Sequence, residues 1–261
     1  MKIHPTAIVS EQAEVSPDAE IGAFSVLDGD VTVGAHTVID SHVRIGSRFG
    51  RVAIGKHNYI QSGATLGGPP QDWSYGEGQT SLEIGNHNRI GEGASLNLGS
   101  QKGGGATRIG DNNFIMAYAH VGHDCRIADE VVLTNLTQLA GHVEIQRGAV
   151  LSGLVAVTQF ARLGEYSFIA AGAIVNKDII PYTIAEGRWA APKATNKVGL
   201  KRAGQSADET REIDRAIRLV LRRSLTIDEA LEKIRADCES NPRIEHLIRF
   251  IGASDRGVAR A

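Results

Sequence analysis

The chain has 261 residues, with 28 Lys and Arg against 30 Asp and Glu and a net charge of −2. That length suits one large domain, or one large and one small, and the charge balance excludes a strongly basic polyanion binder, so no nucleic acid is expected as a partner. The opening MKIHPTAIVSEQAEV has no apolar signal core and no stretch approaches the ~20 apolar residues of a membrane span, so a cytoplasmic protein with no integral membrane segment is expected.

Glycine is frequent, at 30 residues, and aromatics are only 5%. A narrow core of stacked aliphatics needs few large rings, whereas a broad sandwich or α/β core uses more of them. Cys125 and Cys238 match no zinc or redox spacing, so both are read as free thiols in a reducing compartment.

In chain order, a repeat comes first. From Ile3, steps of six land on Val9, Val15, Ile21, Leu27, Val33, Ile39 and Ile45. After a slip of three the pattern resumes at Ile54, Ile60 and Leu66, and again at Ile84, Ile90 and Leu96. The longest run goes from Ile109 through Ile115, Val121, Ile127, Leu133, Leu139, Ile145, Leu151, Val157, Leu163 and Ile169 to Val175. Six is not a helical period, since 3.6 residues per turn would scatter these side chains around the axis. It fits a short strand followed by a tight corner, three of which close a triangular coil of ~18 residues rising by the ~4.8 Å strand spacing. The 26 anchors predict roughly nine coils, each burying its anchors only against its neighbours. Glycines just after the anchors, among them Gly22, Gly34, Gly55, Gly85 and Gly122, are expected to supply the unusual corner angles.

Two stretches without anchors interrupt the repeat, residues 67–80 and 98–108. Insertions at solenoid corners commonly line the binding face. After Val175 an irregular connector leads to helical signals. Ser206 with Glu209 and Thr226 with Glu229 read as capping boxes, and Asn241-Pro242 opens a third helix. The expected organisation is a β-helix domain over 1–190 carrying both loops and a helical domain over 191–261. The tail should cap the open end of the solenoid. From Lys193 to Arg223 nine Lys and Arg face four Asp and Glu, a surplus suited to docking an acidic carrier or simply to a solvated face.

His120 and His123 lie in AYAHVGHDC beside Asp124, and His142 lies in LAGHVEI. His123 and His142 are about one coil apart and can stand on neighbouring rungs. A neutral imidazole there can take a proton from an alcohol or amine attacking a thioester, with a corner glycine such as Gly141 presenting an N–H to the oxyanion. Zinc is the competing reading for the same histidines. A spacing of three puts His120 and His123 on opposite faces of a strand, so no metal is expected. No cofactor is expected either.

Such hexads resemble the hexapeptide acyltransferase superfamily, which implies an all-β solenoid, a left-handed parallel β-helix, with a C-terminal α-helical domain. HPTAIV, PQDWSYGEGQT, QKGGG, AHVGHDC, LAGHVEI, VTQF, IPYTIAEG and GLKR together resemble the UDP-N-acetylglucosamine O-acyltransferase (LpxA-type) family over nearly the whole chain. The resemblance implies an enzyme moving a (3-hydroxy)acyl group from acyl carrier protein to the 3-position of a UDP-sugar, the first step of lipid A biosynthesis. It implies His123 as general base, with Asp124 beside it, and the Gly141 amide as oxyanion donor. Asp72, His120, His142 and Gln159 match positions contacting the sugar or the acyl chain; Asn196 and Arg202 match positions near the nucleotide. Ala171 falls where the family measures acyl length. A homotrimer with sites between subunits is implied as well.

Several positions depart from the family pattern. Ser74 stands where lysine is usual, Asn97-Leu98 replaces a His-Arg pair, Thr158 replaces a histidine and Ala203 an arginine. Losing cationic groups should weaken diphosphate or sugar binding unless others compensate. UDP-N-acetylglucosamine, its 3-amino analogue and another nucleotide sugar all stand as acceptors at this point, and acetyl-CoA as a second donor. A paralogous sugar-nucleotide acyltransferase outside lipid A synthesis and a non-catalytic hexapeptide scaffold are the alternative functions.

Overall fold

The computed structural model describes residues 2–76 and 78–260; Met1, Glu77 and Ala261 lie outside the described residues, Glu77 falling inside the first loop. Most hexads form a two-residue strand, an outward residue followed by the anchor, as in Glu20–Ile21, Phe114–Ile115 and Val150–Leu151. The strands build three sheets of eleven, nine and eight members. Within the coils, neighbouring strands of each sheet come from successive coils and run parallel, so Ile115 stands beside Leu133 and Leu133 beside Leu151. Roughly nine coils result, as the anchors predict.

The anchors form one aliphatic column through the prism; Ile45, Ile60, Leu66, Ile90, Val121 and Leu151 are all buried. Each such side chain contributes about 1.5–3 kcal/mol by leaving water. A second inward position lies two residues before each anchor, and alanine often fills it: Ala19, Ala64, Ala94, Ala119, Ala149, Ala161 and Ala173. Elsewhere this position is taken by larger apolar residues such as Val43, Val131, Val143 and Val155, or by polar ones. Asn58, Asn88 and Asn113 stack there, and each side-chain oxygen accepts the N–H of the residue one coil on, at 2.9, 2.8 and 2.7 Å.

The corner glycines do a different job from the expected one. The left-handed backbone position is three residues after the anchor, and it is filled mostly by other residues: Phe24, His36, His57, Tyr118, Asp124, Leu136, His142 and Phe160 all have positive φ. At Gly22, Gly34, Gly55, Gly85 and Gly122 the glycine directly after the anchor is required by close approach between coils, whereas Gly46 also takes the expected unusual angle, at φ 84°. A Cβ on Gly22 would lie 2.5 Å from the Asp40 carbonyl carbon, and one on Gly34 2.6 Å from that of Gly55. Coil spacing, not dihedral freedom, excludes a side chain there.

The loop edges are also tighter than the sequence indicates. Strands Thr65–Gly68 and Thr80–Ile84 take the ends of the first interruption. In the second, a single turn of 3-10 helix at Gln101–Gly103 precedes the strand Ala106–Ile109.

After the last full coil the connector is ordered. Thr183–Glu186 pairs antiparallel with Ala191–Thr195, a hairpin the hexad pattern does not reveal. Helix α1 (Lys197–Arg202) follows, another element missed in the sequence, and then α2 (Ala207–Leu221), α3 (Ile227–Asp237) and α4 (Pro242–Gly252). Ser206 and Thr226 form reciprocal capping boxes and the Asn241 side chain caps α4, each cap contributing about 1 kcal/mol. Ile213, Ile217, Val220, Ile234, Ile244, Leu247 and Ile251 pack with Ile180 and Tyr182 of the final coil. The segment after α4 closes the end of the prism. Asp178 N–H donates to Gly257 O at 3.2 Å, Ala259 N–H to Asp178 O at 2.8 Å, and Ser254 Oγ to the Asp178 carboxylate at 2.7 Å. No described helix is long and apolar enough to cross a membrane.

Candidate active site

Val121 is an anchor, so its corner begins at Gly122 and places His123 and Asp124 at the bend. Asp124 takes the left-handed position, at φ 62°. One coil on, His142 occupies the same position, also at φ 62°, and Phe160 the next, at φ 64°. Stacking the coils therefore stacks these side chains. His142 N–H donates to His123 O at 2.9 Å; the His123 and His142 ring centroids are 5.0 Å apart, edge to face, and His142 stacks on Phe160 at 4.4 Å.

Asp124 is buried beneath the second loop. Its Oδ1 accepts the Ser100 N–H at 2.8 Å and its Oδ2 accepts the Ser100 hydroxyl at 2.6 Å. Oδ2 also lies 2.7 Å from His123 Nδ1. An ionised carboxylate is only an acceptor, so it fixes the tautomer with the proton on Nδ1 and leaves Nε2 as the basic atom. The His123 ring lies over Gly141, where a Cβ would come within 2.6 Å of both Cε1 and Nε2. Among the described residues the Gly141 N–H has no hydrogen-bond partner. The candidate base and the candidate oxyanion donor are thus adjacent.

Burial pushes the His142 pKa below the ordinary histidine value, with the Asp124 charge opposing it. The His120 pKa is also lowered by burial; its Nδ1 lies 2.7 Å from Ser95 Oγ on the flat face beside the corner. His123 lies in the corner rather than on a strand, so the opposite-faces argument drawn from the sequence does not apply to it. His123, Asp124 and His142 are the one group among the described residues with ligand atoms close enough for a metal, within 4.8 Å. The 2.7 Å Nδ1–Oδ2 separation is a hydrogen bond, with no room for an ion between those atoms. The donor set fits a base and its orienting carboxylate.

Cys125, next in sequence, points inward. Its thiol donates to Ala140 O at 3.2 Å and burial pushes its pKa up to about 12. It is not poised as a nucleophile.

Asp72, in the first loop, comes within electrostatic range of His123 and His142. Its pKa is lowered by the Ser74 N–H and then the Ser74 hydroxyl, both of which it accepts at 2.8 Å. Where the resemblance leads one to expect lysine at Ser74, Lys102 of the second loop instead brings its ammonium to within 2.9 Å of Ser74 Oγ. Asn97 and Leu98 serve the scaffold: Asn97 Nδ2 donates to Pro69 O at 2.6 Å and Leu98 is fully buried. Ser100, Ser95 and Lys102 escaped the sequence reading because isolated serines and lysines carry no periodic signal.

The other expected site residues are dispersed. Gln159 precedes Phe160 on the His123 corner, and its carbonyl accepts from Arg256 at 2.6 Å. Ala171 is exposed at the corner that carries Tyr118, Leu136 and Leu154. The Asn196 side chain is largely used internally, capping α1 through Gly199 N–H at 3.0 Å and donating to Tyr166 O at 2.8 Å. Arg202 ends α1 and is exposed.

Residues 178–259 match the profile described as UDP N-acetylglucosamine O-acyltransferase, domain 2, and residues 106–141 match that of six bacterial transferase hexapeptide repeats. A relative from Alkalilimnicola ehrlichii, acyl-[acyl-carrier-protein]–UDP-N-acetylglucosamine O-acyltransferase, is 44% identical over 197 residues, 76% of each chain. One of the same name from Thiobacillus denitrificans is 41% identical over 99% of each. The solved UDP-N-acetylglucosamine O-acyltransferase of Moraxella catarrhalis superimposes with a TM-score of 0.95 at 40% identity over the full length of both chains. The enzyme of Francisella novicida gives 0.94 at 38% identity, covering 99% of this chain and 94% of its own. The fold they share with this chain is the left-handed parallel β-helix.

Proposed function

The chain belongs to the UDP-N-acetylglucosamine O-acyltransferase family, an acyltransferase family, and on that premise we propose that it transfers an acyl group from acyl carrier protein to the 3-hydroxyl of UDP-N-acetylglucosamine, the first step of lipid A biosynthesis. The observation that carries this reading is the His123 imidazole held by Asp124 at 2.7 Å and seated on Gly141. His123 Nε2 takes the hydroxyl proton as the sugar oxygen attacks the thioester carbon. The Gly141 N–H donates to the resulting oxyanion. Collapse breaks the carbon–sulfur bond, and the departing thiolate takes the proton back from His123. The thioester is already activated, so this route needs no cofactor, and the buried Cys125 supports direct transfer without a covalent enzyme intermediate.

In this reading Asp72, His120, His142 and Gln159 contact the sugar or the acyl chain, Asn196 and Arg202 serve the nucleotide, and Ala171 limits acyl length. These residues lie on separate corners of one chain, which favours a homotrimer with sites between subunits. Exposed Tyr118, Leu136 and Leu154 form an apolar ridge on the Ala171 corner, a surface suited to burial against another copy. The same reading sets the reaction in the cytoplasm, where the free Cys125 and Cys238 thiols stay reduced.

The test supplies purified protein with acyl carrier proteins bearing chains of several lengths and with UDP-N-acetylglucosamine, following product by mass spectrometry. Transfer that is lost in His123→Ala supports the reading; transfer that persists in that variant, or its absence in the wild type, overturns it. Light scattering tests the assembly: a trimer that falls apart in Leu136→Arg/Leu154→Arg is expected, and a wild-type monomer would refute it.

A further inference from the structure

The two interruptions of the repeat meet at several points, among them Leu98 N–H on Gly68 O at 2.9 Å and Gly78 packed on Gln101, and one of these contacts is made by a cation. Lys102 Nζ donates to Ser74 Oγ at 2.9 Å, and Ser74 Oγ in turn donates to the Asp72 carboxylate at 2.8 Å. The serine hydroxyl can do both, accepting on oxygen and donating its proton. The Ser74 N–H adds a further bond to the same carboxylate, also at 2.8 Å.

The two ends of this chain of contacts are anchored unequally. Lys102 belongs to a turn pressed onto the catalytic corner: Ser100 holds both oxygens of Asp124, and a Cβ on Gly103 would overlap that carboxylate. The first loop is held at its edges, by Leu98 N–H on Gly68 O at 2.9 Å, Asn97 Nδ2 on Pro69 O at 2.6 Å, Tyr75 Oη on Phe49 O at 3.3 Å and the packing of Gly78 on Gln101. Among the described residues, the hydrogen bonds that lead from the Asp72 carboxylate to the second loop run through Ser74 to Lys102.

We propose that Lys102 is a positioning residue for the acceptor site: acting through Ser74, it holds the Asp72 carboxylate toward His123, where an ionised carboxylate accepts a hydrogen bond from a hydroxyl or amide N–H of the sugar. This rests on the acyltransferase reading above and names how this chain builds the sugar side of that site. The cation is supplied across the two loops rather than from the loop that carries Asp72. Lys102, Ser74 and Trp73 are all exposed, so the network contributes to placement more than to folding.

Steady-state constants for both substrates, measured in the wild type, Lys102→Ala, Lys102→Arg and Lys102→Ala/Ser74→Lys, test the proposal. Lys102→Ala raises KM for UDP-N-acetylglucosamine about tenfold, the loss of one charge-assisted hydrogen bond, while KM for the acyl donor and the melting temperature stay put. Lys102→Arg keeps most of the affinity, and the double variant, with its ammonium returned to the first loop, recovers it. An unchanged sugar KM in Lys102→Ala, an equal rise for both substrates, or a double variant no better than the single one overturns the proposal. Hydrogen exchange at the Ser74 amide separates this from failure of the acyltransferase reading. It quickens in Lys102→Ala if the lock is real, whether or not the protein turns over this sugar. A wild type that exchanges like Lys102→Ala refutes the lock; a wild type that does not acylate the sugar refutes the sugar role.

Discussion

The Asp124 carboxylate, shielded from solvent, lies 2.7 Å from Nδ1 of His123, a half-sheltered neighbour in the same corner. Two consecutive residues can meet this way because Asp124 adopts the left-handed conformation, which turns its side chain back under the loop and against the imidazole. Ser100 then saturates the carboxylate from the other side.

This pair carries the first prediction. His123→Ala lowers kcat by about 10²–10⁴-fold, the usual contribution of a positioned base. Asp124→Asn retains the fold but lets the imidazole take the wrong tautomer, and kcat falls about a hundredfold or more with KM little changed. Steady-state kinetics on folded protein decide it, and an Asp124→Asn enzyme within twofold of wild type would show that orientation by Asp124 is irrelevant.

Gly141, the proposed oxyanion donor, is also a steric partner of His123. In Gly141→Ala the new methyl would sit 2.6 Å from Nε2 and Cε1 of His123, so the ring must move off its position. Activity is expected to fall about a hundredfold, since a displacement of ~1 Å at a reacting group costs that much, with the melting temperature changed far less. Wild-type turnover in this variant would mean that the ring position does not matter.

Stability should depend on pH in a defined direction. In the unfolded chain a histidine protonates near its ordinary value of ~6.5. In the folded chain burial holds His142 and His120 below it, and loss of hydration acts the same way on His57 and His246. Below about pH 6.5 the unfolded state therefore binds more protons, so the stability present above that value is lost as pH falls, until the folded groups protonate too. The melting temperature should drop between about pH 7 and 5, and His142→Gln should flatten the slope. A melting temperature that is constant across that range would contradict the assignment.

Two glycines separate close approach from backbone freedom. A Cβ on Gly55 would lie 2.5 Å from Gly85 O, while one on Gly153 meets nothing nearer than 3.6 Å. Gly55→Ala is expected to cost about 1–3 kcal/mol as an overpacked contact, and Gly153→Ala to stay within about 0.5 kcal/mol. Denaturant melts of the two variants provide the check; equal stabilities would refute the close-approach account.

Much of this was legible from the chain alone. Ile, Leu and Val at every sixth position specified a solenoid because a strand alternates its faces and a corner resets the register. Ser206 with Glu209, and Thr226 with Glu229, marked two helix starts because capping is a local exchange of hydrogen bonds. The His123–His142 neighbourhood was legible too, since one coil separates them. The hairpin at Thr183–Glu186 and Ala191–Thr195 and helix α1 were not, because antiparallel pairing and a six-residue helix carry no hexad or long apolar stripe.

The sequence by itself determined the period and the narrow aliphatic core, both consequences of local chemistry repeated along the chain, and it drew attention to the histidines of one corner. Only the tertiary structure decided that glycines after the anchors are demanded by coil spacing, that Asp124 is locked by Ser100 from a separate loop, and that Lys102 reaches Ser74 across 28 positions. Those contacts depend on where loops fold back in space, and nothing in the spacing of residues along a chain encodes which corner an insertion will cover.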